Sequence, residues 1–213
     1  MTGTTADTQW KFSSTFVVLP NENVDTDQII PARFLTTTDR VGLGPNAFND
    51  WRYLADGSPN PDFVLNKPES QGAEVLVAGH NFGCGSSREH AVWALAGAGF
   101  RAVVSSTFAD IFRGNALGNG LLPIQVPPAV LERLMAWPAE GDERPTLHVD
   151  LAARALTLPD GAIVRFPVPP FARHCLLEGV DELEFLLGLD PEIAAWERTH
   201  PAPVDTTIAT VAA

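Results

Sequence analysis

Thiols are scarce in this chain: its 213 residues include two cysteines, Cys84 and Cys175, far apart in sequence. Two such cysteines do not make a disulfide framework. Positive charge is also short, with 14 Lys and Arg against 26 Asp and Glu and a net charge of -12. That balance excludes nucleic acid and an anionic membrane surface as partners. Lysine is almost missing, since 12 of the 14 basic residues are arginine, the side chain suited to bidentate carboxylate recognition. No apolar run reaches the length of a membrane span. The opening Met1–Asp7 has neither the basic nor the apolar region of a signal peptide, so a cytoplasmic protein is expected.

What is present is globular: 45% hydrophobic and 19% charged residues. The length suits a single domain over 1–213, with Thr-, Ala-, Pro- and Asp-rich tails fraying at about 1–11 and 201–213. A first strand is expected at 15–19. A loop-like stretch then runs from Pro31 to Asn60, a length that in a compact domain means either a functional segment or unrecognised structure. Strands at 73–78, 102–105 and 121–126 alternate with helices at 87–97, 108–116 and 128–137, a βαβα rhythm that predicts a parallel sheet. Short antiparallel strands follow at 146–150, 155–158 and 163–166, with Asp160-Gly161 as a hairpin turn. Helices are predicted at 171–178, 181–187 and 190–198. Periodicity alone gives a mixed α/β class.

The densest chemistry lies in Gly79-His80-Asn81-Phe82-Gly83-Cys84-Gly85-Ser86-Ser87-Arg88-Glu89-His90, between the strand Val75–Ala78 and a helix. Amide N–H groups that open a helix lack intrahelical partners, so two hydroxyls and an arginine there suit a bound carboxylate or phosphate. The same residues have a structural reading. Ser86 and Glu89 fit a capping box, and Gly83 and Gly85 fit turn positions of positive φ. Asp25-Thr26-Asp27 is likewise open between two readings. Two close acids suggest a metal, but no third ligand is in view and an Asp-capped turn serves as well. His80 and His90 read as solvated or core histidines, and Trp51, Trp93, Trp137 and Trp196 as core or interface aromatics.

Phe82–His90 resembles the signature of the swivelling domain of the aconitase superfamily, and the likeness continues through Asn23–Pro31, Phe48–Arg52, Pro61–Asn66, Phe108–Phe112, Asn115, Leu121–Pro123 and Arg173–Cys175. It covers roughly residues 10 to 200 in the family's order, and within the superfamily it is nearest to the isopropylmalate isomerase small subunits. The resemblance implies a β/β/α swivelling fold, a mixed sheet partly curled as an open barrel with flanking helices. It implies a hydro-lyase of leucine biosynthesis, interconverting 2- and 3-isopropylmalate by dehydration and rehydration, and active only with a large subunit. The family's [4Fe-4S] cluster needs three or four thiolates. Two cysteines fall short, so no cofactor or metal is expected on this chain and the cluster is assigned to the partner.

By the same resemblance Ser86 is the catalytic base, acting as an alkoxide, and Asp27 organises the active site. Ser87 at the first helical turn and Arg88 would bind substrate, and Arg33, Arg40 and Arg52 around the long loop could meet a second carboxylate. Phe34, Leu35, Val41, Leu43 and Phe48 are apolar residues in a polar stretch, so some are expected to face the isopropyl group. Two alternatives stand beside this. One is a related isomerase acting on homoaconitate or a methyl-substituted malate, and Arg40 could then take a third carboxylate. The other is a stand-alone anion- or nucleotide-binding module using the 79–90 turn, although that turn lacks the lysine and spacing of a Walker loop.

Overall fold

A computed structural model of the chain describes residues 9–36, 39–137 and 144–200. Residues up to Gly179 form one compact unit and those from Val180 a second, a division that the reading of one domain over 1–213 did not draw. Seven strands of the first unit make one sheet in the order β4-β3-β2-β1-β5-β6-β7. They are β1 (Lys11–Leu19), β2 (Val75–Ala78), β3 (Ala102–Ser105), β4 (Leu122–Gln125), β5 (Thr146–Asp150), β6 (Ala155–Thr157) and β7 (Ile163–Arg165).

The strand β1 joins two kinds of pairing. Its second half, Phe16–Leu19, runs parallel to β2, which is parallel to β3, and β3 to β4. Its first half, Lys11–Thr15, is antiparallel to β5, and β5, β6 and β7 continue antiparallel. The expected parallel and antiparallel groups are therefore both present, in a single sheet. The ordered chain also starts earlier than expected, with Trp10 buried and Lys11 opening β1. Most of the first expected tail, residues 1–8, and all of the second, 201–213, lie outside the described residues.

Helices follow the strands. In chain order they are α1 (Thr26–Ile29), α2 (Asn49–Arg52), α3 (Glu89–Gly97), α4 (Asp110–Gly118), α5 (Pro128–Met135) and α6 (Pro170–Glu178). Alternate strand residues point to opposite faces, and this divides the core. Val17, Leu19, Leu76, Ala78 and Val103 pack with Ile29, Ala91, Val92, Leu95 and Phe112, under α1, α3 and α4. Val75, Val77, Ala102, Val104 and Ile124 pack on the other face with Leu131, Leu134, Leu147 and Leu176. The helices of the two successive crossovers, α3 and α4, lie on one face of the sheet, so the two crossovers share one hand.

The described residues of the stretch 31–60 include single-turn 3-10 segments at Ala32–Phe34 and Gly44–Asn46 before α2. Leu43 and Phe48 are buried in the core, so of the five apolar residues some of which were expected to face the isopropyl group, these two pack inward instead. Phe48 stacks on Trp51 at 5.8 Å, and both rings meet Phe63. Phe34 and Leu35 are partly buried against the same core, whereas Val41 is 83% exposed. Trp93 and Trp137 pack partly buried as expected. The second unit is a pair of helices, α7 (Glu182–Gly188) and α8 (Asp190–Thr199). Its Trp196 is exposed and stacks on His200.

Candidate active site

The parallel strands β1, β2 and β3 end at Leu19, Ala78 and Ser105, and their three following loops lie side by side. Ligands of open α/β sheets gather at this carboxyl edge. Backbone bonds sew the loops together: the Asn23 N–H donates to His80 O at 2.8 Å, Gly83 N–H to Val24 O at 2.8 Å, and Phe82 N–H to Thr107 O at 3.1 Å. Isolated parallel bridges at Asp25–Cys84 and Phe82–Phe108 extend the sheet's pairing beyond its strands. The approach is close enough that a Cβ on Gly79 would fall 2.2 Å from Asn21 O. Asn23 and Asn81 both hold left-handed backbone (φ 53 and 58), which asparagine tolerates better than most residues. The Asn81 Nδ2 donates to Asn23 Oδ1 at 2.9 Å across the two loops.

On this seam three consecutive residues of one loop hold three parts of the other. Asp25 caps α1 in a complete capping box: its Oδ1 accepts from Asp27 N–H at 2.6 Å, and Gln28 Oε1 accepts from Asp25 N–H at 2.8 Å. Asp25 as a turn cap is thus the correct reading of that acid. Its carboxylate also fills the space beside Gly85, where a Cβ would sit 2.1 Å from Oδ2. Thr26, buried, donates its hydroxyl to Ser86 O at 2.8 Å and its N–H to Cys84 O at 2.9 Å. Asp27 pairs with Arg88 through Oδ1 and Nη1.

The helix after the turn begins later than its sequence suggests. Arg88 is the N-cap in extended backbone (φ -141, ψ 109), with no side-chain cap bond, and Glu89 opens α3. The Ser86–Glu89 capping box is therefore not formed, and Ser87 precedes the first helical turn rather than sitting in it. Ser86 and Ser87 are exposed on the approach to the helix. Among the described residues, the N–H groups of Gly85, Ser86, Ser87 and Arg88 have no protein acceptor. The Arg88 side chain is 17% exposed and Asp27 49%, so the arginine is walled in and its acid partner faces outward. Only its Nη1 is engaged, by Asp27, among the described residues. Cys84 Sγ lies 3.2 Å from Asn23 O, and burial, with the Asp25 charge adding to it, pushes its thiol above the ordinary range.

The three loop arginines are placed differently. Arg40 lies over the Trp93 ring at 5.4 Å, so it borders α3, the helix that the turn feeds. Arg33 is exposed and donates to Asn49 Oδ1 at 2.7 Å and Asp50 Oδ1 at 2.5 Å. The hydrogen bond to Asp50 raises its pKa further. It lines an open cavity of about 750 Å³ with Asn46, Asp50, Tyr53 and Leu54. Arg52 is half-buried in a brace of its own loop, with Nε donating to Asn66 Oδ1 at 3.1 Å and Asn66 Nδ2 returning a bond to Arg52 O at 2.6 Å. The structure thus brings Asp27, Ser86, Ser87 and Arg88 together and turns Arg33 and Arg52 to partners of their own. Sequence reasoning gave no role to Thr26, Asn23 or Asn81. The available signal was two asparagines at loop positions, where left-handed backbone is common.

Comparison with known proteins gives the family. A family model described as the aconitase C-terminal domain matches residues 10–129. The chain is 62% identical over 181 residues to the 3-isopropylmalate dehydratase small subunit of Anaeromyxobacter dehalogenans (strain 2CP-C), covering 85% of this chain and 92% of that one. It is 58% identical over 191 residues to the protein of the same name from Roseiflexus sp. (strain RS-1), covering 90% and 93%. The crystal structure of a 3-isopropylmalate dehydratase from Methanocaldococcus jannaschii superposes with a TM-score of 0.61 at 25% identity, over 88% of this chain and 99% of that one. With sequence and fold in agreement, the chain belongs to the aconitase C-terminal domain family, among its 3-isopropylmalate dehydratase small subunits.

Proposed function

We propose that this chain is the small subunit of a cytoplasmic 3-isopropylmalate dehydratase, a hydro-lyase that interconverts 2- and 3-isopropylmalate together with a large subunit. The observation that carries the site assignment is the seam at the strand ends, which presents Ser86, Ser87 and Arg88 on one turn beside Asp27. The reaction removes a weakly acidic proton from carbon beside a carboxylate, so it needs a base and a pocket for growing negative charge. Ser86 takes that proton. Its alkoxide is favoured by the unpaired amides around it and by the neighbouring guanidinium. Arg88 keeps donors for a substrate carboxylate while Asp27 fixes its plane. Ser87 adds a hydrogen bond from the same side.

The family's iron–sulfur cluster does not fit this chain. Cys84 and Cys175 are too few, and Cys84 has a raised thiol pKa and an engaged Sγ, the opposite of a ready thiolate ligand. The cluster belongs to the large subunit on this reading, and loss of the hydroxyl is left to groups this chain does not supply. The net charge of -12 repels a dicarboxylate at long range, so capture depends on local arginine and on the partner's surface.

Of the loop arginines, Arg40 beside α3 is the one retained as a candidate for the second carboxylate, because Arg33 and Arg52 spend donors on Asp50 and Asn66. The test is reconstitution with the large subunit and assay of both isopropylmalates against citrate and homocitrate. Turnover of isopropylmalate only in the presence of both chains supports the reading. A preference for a tricarboxylate replaces it with the homoaconitate one.

A further inference from the structure

We infer that Thr26 is a positioning residue of the reaction: its hydroxyl and its N–H hold the Cys84–Gly85 and Ser86–Ser87 peptide planes, which flank the Gly85-Ser86 pair, aiming the Gly85 and Ser87 amides at the substrate side of Ser86. The inference rests on the reading of Ser86 as the base.

Thr26 is 2% exposed, and a buried hydroxyl requires a partner. A threonine in a helix commonly turns its hydroxyl back onto a carbonyl of its own chain segment. Here it reaches across 60 residues to Ser86 O. The Thr26 N–H reaches the same loop at Cys84 O. One residue therefore grips two carbonyls two positions apart, with Gly85 at φ 88 between them.

The consequence follows from peptide geometry. A trans peptide is planar, and its C=O and N–H point in opposite directions. No peptide bond here is cis. The Cys84 carbonyl faces Thr26, so the N–H of Gly85 faces away from it. The Ser86 carbonyl faces Thr26, so the N–H of Ser87 faces away as well. Gly85, Ser86 and Ser87 are all exposed, and neither the Gly85 nor the Ser87 amide has an acceptor among the described residues. Thr26 thus fixes a pair of unpaired donors on either side of Ser86, before substrate arrives. Donors held in place in advance stabilise developing negative charge more than donors that must reorient. The bond also polarises the peptide it touches: a carbonyl that accepts makes the N–H across the same bond a better donor.

Asp27 does a different task from the next position, pairing with Arg88 on the exposed side. The buried residue sets the backbone and the exposed one sets the guanidinium. Neither role was visible from the Asp-Thr-Asp pattern, in which attention falls on the acids.

The experiment uses the reconstituted two-subunit enzyme with Thr26→Val, Thr26→Ser, Thr26→Ala and Ser86→Ala. Thr26→Val keeps the buried shape and removes the hydroxyl. The expected result is a fall in kcat of at least tenfold with KM changed by less than threefold, and recovery to within threefold of the parent by Thr26→Ser. A merely structural role would instead track the melting temperature and leave kcat intact in whatever fraction of the enzyme folds. Should Thr26→Val not assemble, the comparison of Thr26→Ser with Thr26→Ala is read in the same way. A normal kcat in Thr26→Val or Thr26→Ala overturns the inference, as does a Thr26→Ser that is as poor as Thr26→Ala. Ser86→Ala separates the two levels. If it retains activity, the base assignment fails; if it is inactive while Thr26→Val is normal, the base stands and the positioning role falls.

Discussion

Replacing Gly85 with alanine tests the seam at its tightest point. The residue holds φ 88, and a Cβ there would lie 2.1 Å from Asp25 Oδ2 and 2.6 Å from its Cγ. Forcing an L-residue into left-handed backbone costs about 1–2 kcal/mol. Asp25 cannot stay where it is, and losing its cap on α1 costs about 1 kcal/mol more. The sum, about 2–3 kcal/mol, lowers the melting temperature of a domain this size by roughly 4–12 °C, at about 2–4 °C per kcal/mol. Gly161→Ala is the matched control. Its φ is 85 and nothing lies within 4 Å of its Cβ position, so it incurs the backbone cost alone. Differential scanning calorimetry of the two variants gives the difference, and isomerase assay with the large subunit gives the function. Gly85→Ala should melt below Gly161→Ala and lose turnover, because the turn carrying Ser86 moves with Asp25. If the two variants melt together and both turn over normally, the steric reasoning about this seam is wrong.

Four further outcomes are expected. Ser86→Ala should cut turnover by about 10²–10⁴-fold, the usual worth of a general base, while assembly with the large subunit, read by gel filtration, persists. Arg88→Lys should damage turnover because an ammonium cannot reproduce the planar fork, whereas Arg52→Lys should lower thermal stability and leave turnover in place, since Arg52 braces Asn66. Phe48→Ala should cost about 3–5 kcal/mol in a urea titration, as the ring is fully buried against Trp51 and Phe63. Cys84 has a folded pKa raised first by burial and then by Asp25, so its contribution to stability is complete below the unfolded value, about 8.5, and is lost as pH rises through the higher folded value. Mass spectrometry should find Cys84 resisting alkylation near pH 8, and alkylation at the rate of a free thiol there would refute it.

The parts of the fold legible in the sequence are those decided locally. The runs Val75–Ala78 and Ala102–Val104 are apolar throughout because both faces of the parallel half are covered, and they read as strands for that reason. The double pairing of β1 was not legible, because nothing within Lys11–Leu19 names β2 or β5 as its neighbour. Spacing misled at Ser86–Glu89. The same D-x-x-E/Q or S-x-x-E pattern forms true boxes at Asp25–Gln28 and Asp181–Glu184. At Ser86 the carbonyl is taken by Thr26 and Arg88 is held extended, so the helix starts later. The burial of Leu43 and Phe48 was not legible for a related reason. An apolar residue in a polar stretch can face a ligand or plug a core, and the neighbours that decide it here, such as Phe63 and Gly97, are distant in sequence. At the site, the motif pointed to the residues that face outward, while Thr26, which faces inward, was hidden among the acids.

The shared strand β1 has a consequence for anyone who would divide this molecule. A fragment retaining the parallel half and lacking β5 would leave Lys11–Thr15 with five residues of open backbone, since β5 is their partner along that whole length. Such an edge is a template for any passing strand. The half bearing Ser86 is therefore not a portable module: cut free of its antiparallel wing, it should self-associate through β1, and an engineer seeking a minimal version must cap that edge before asking what the site can do.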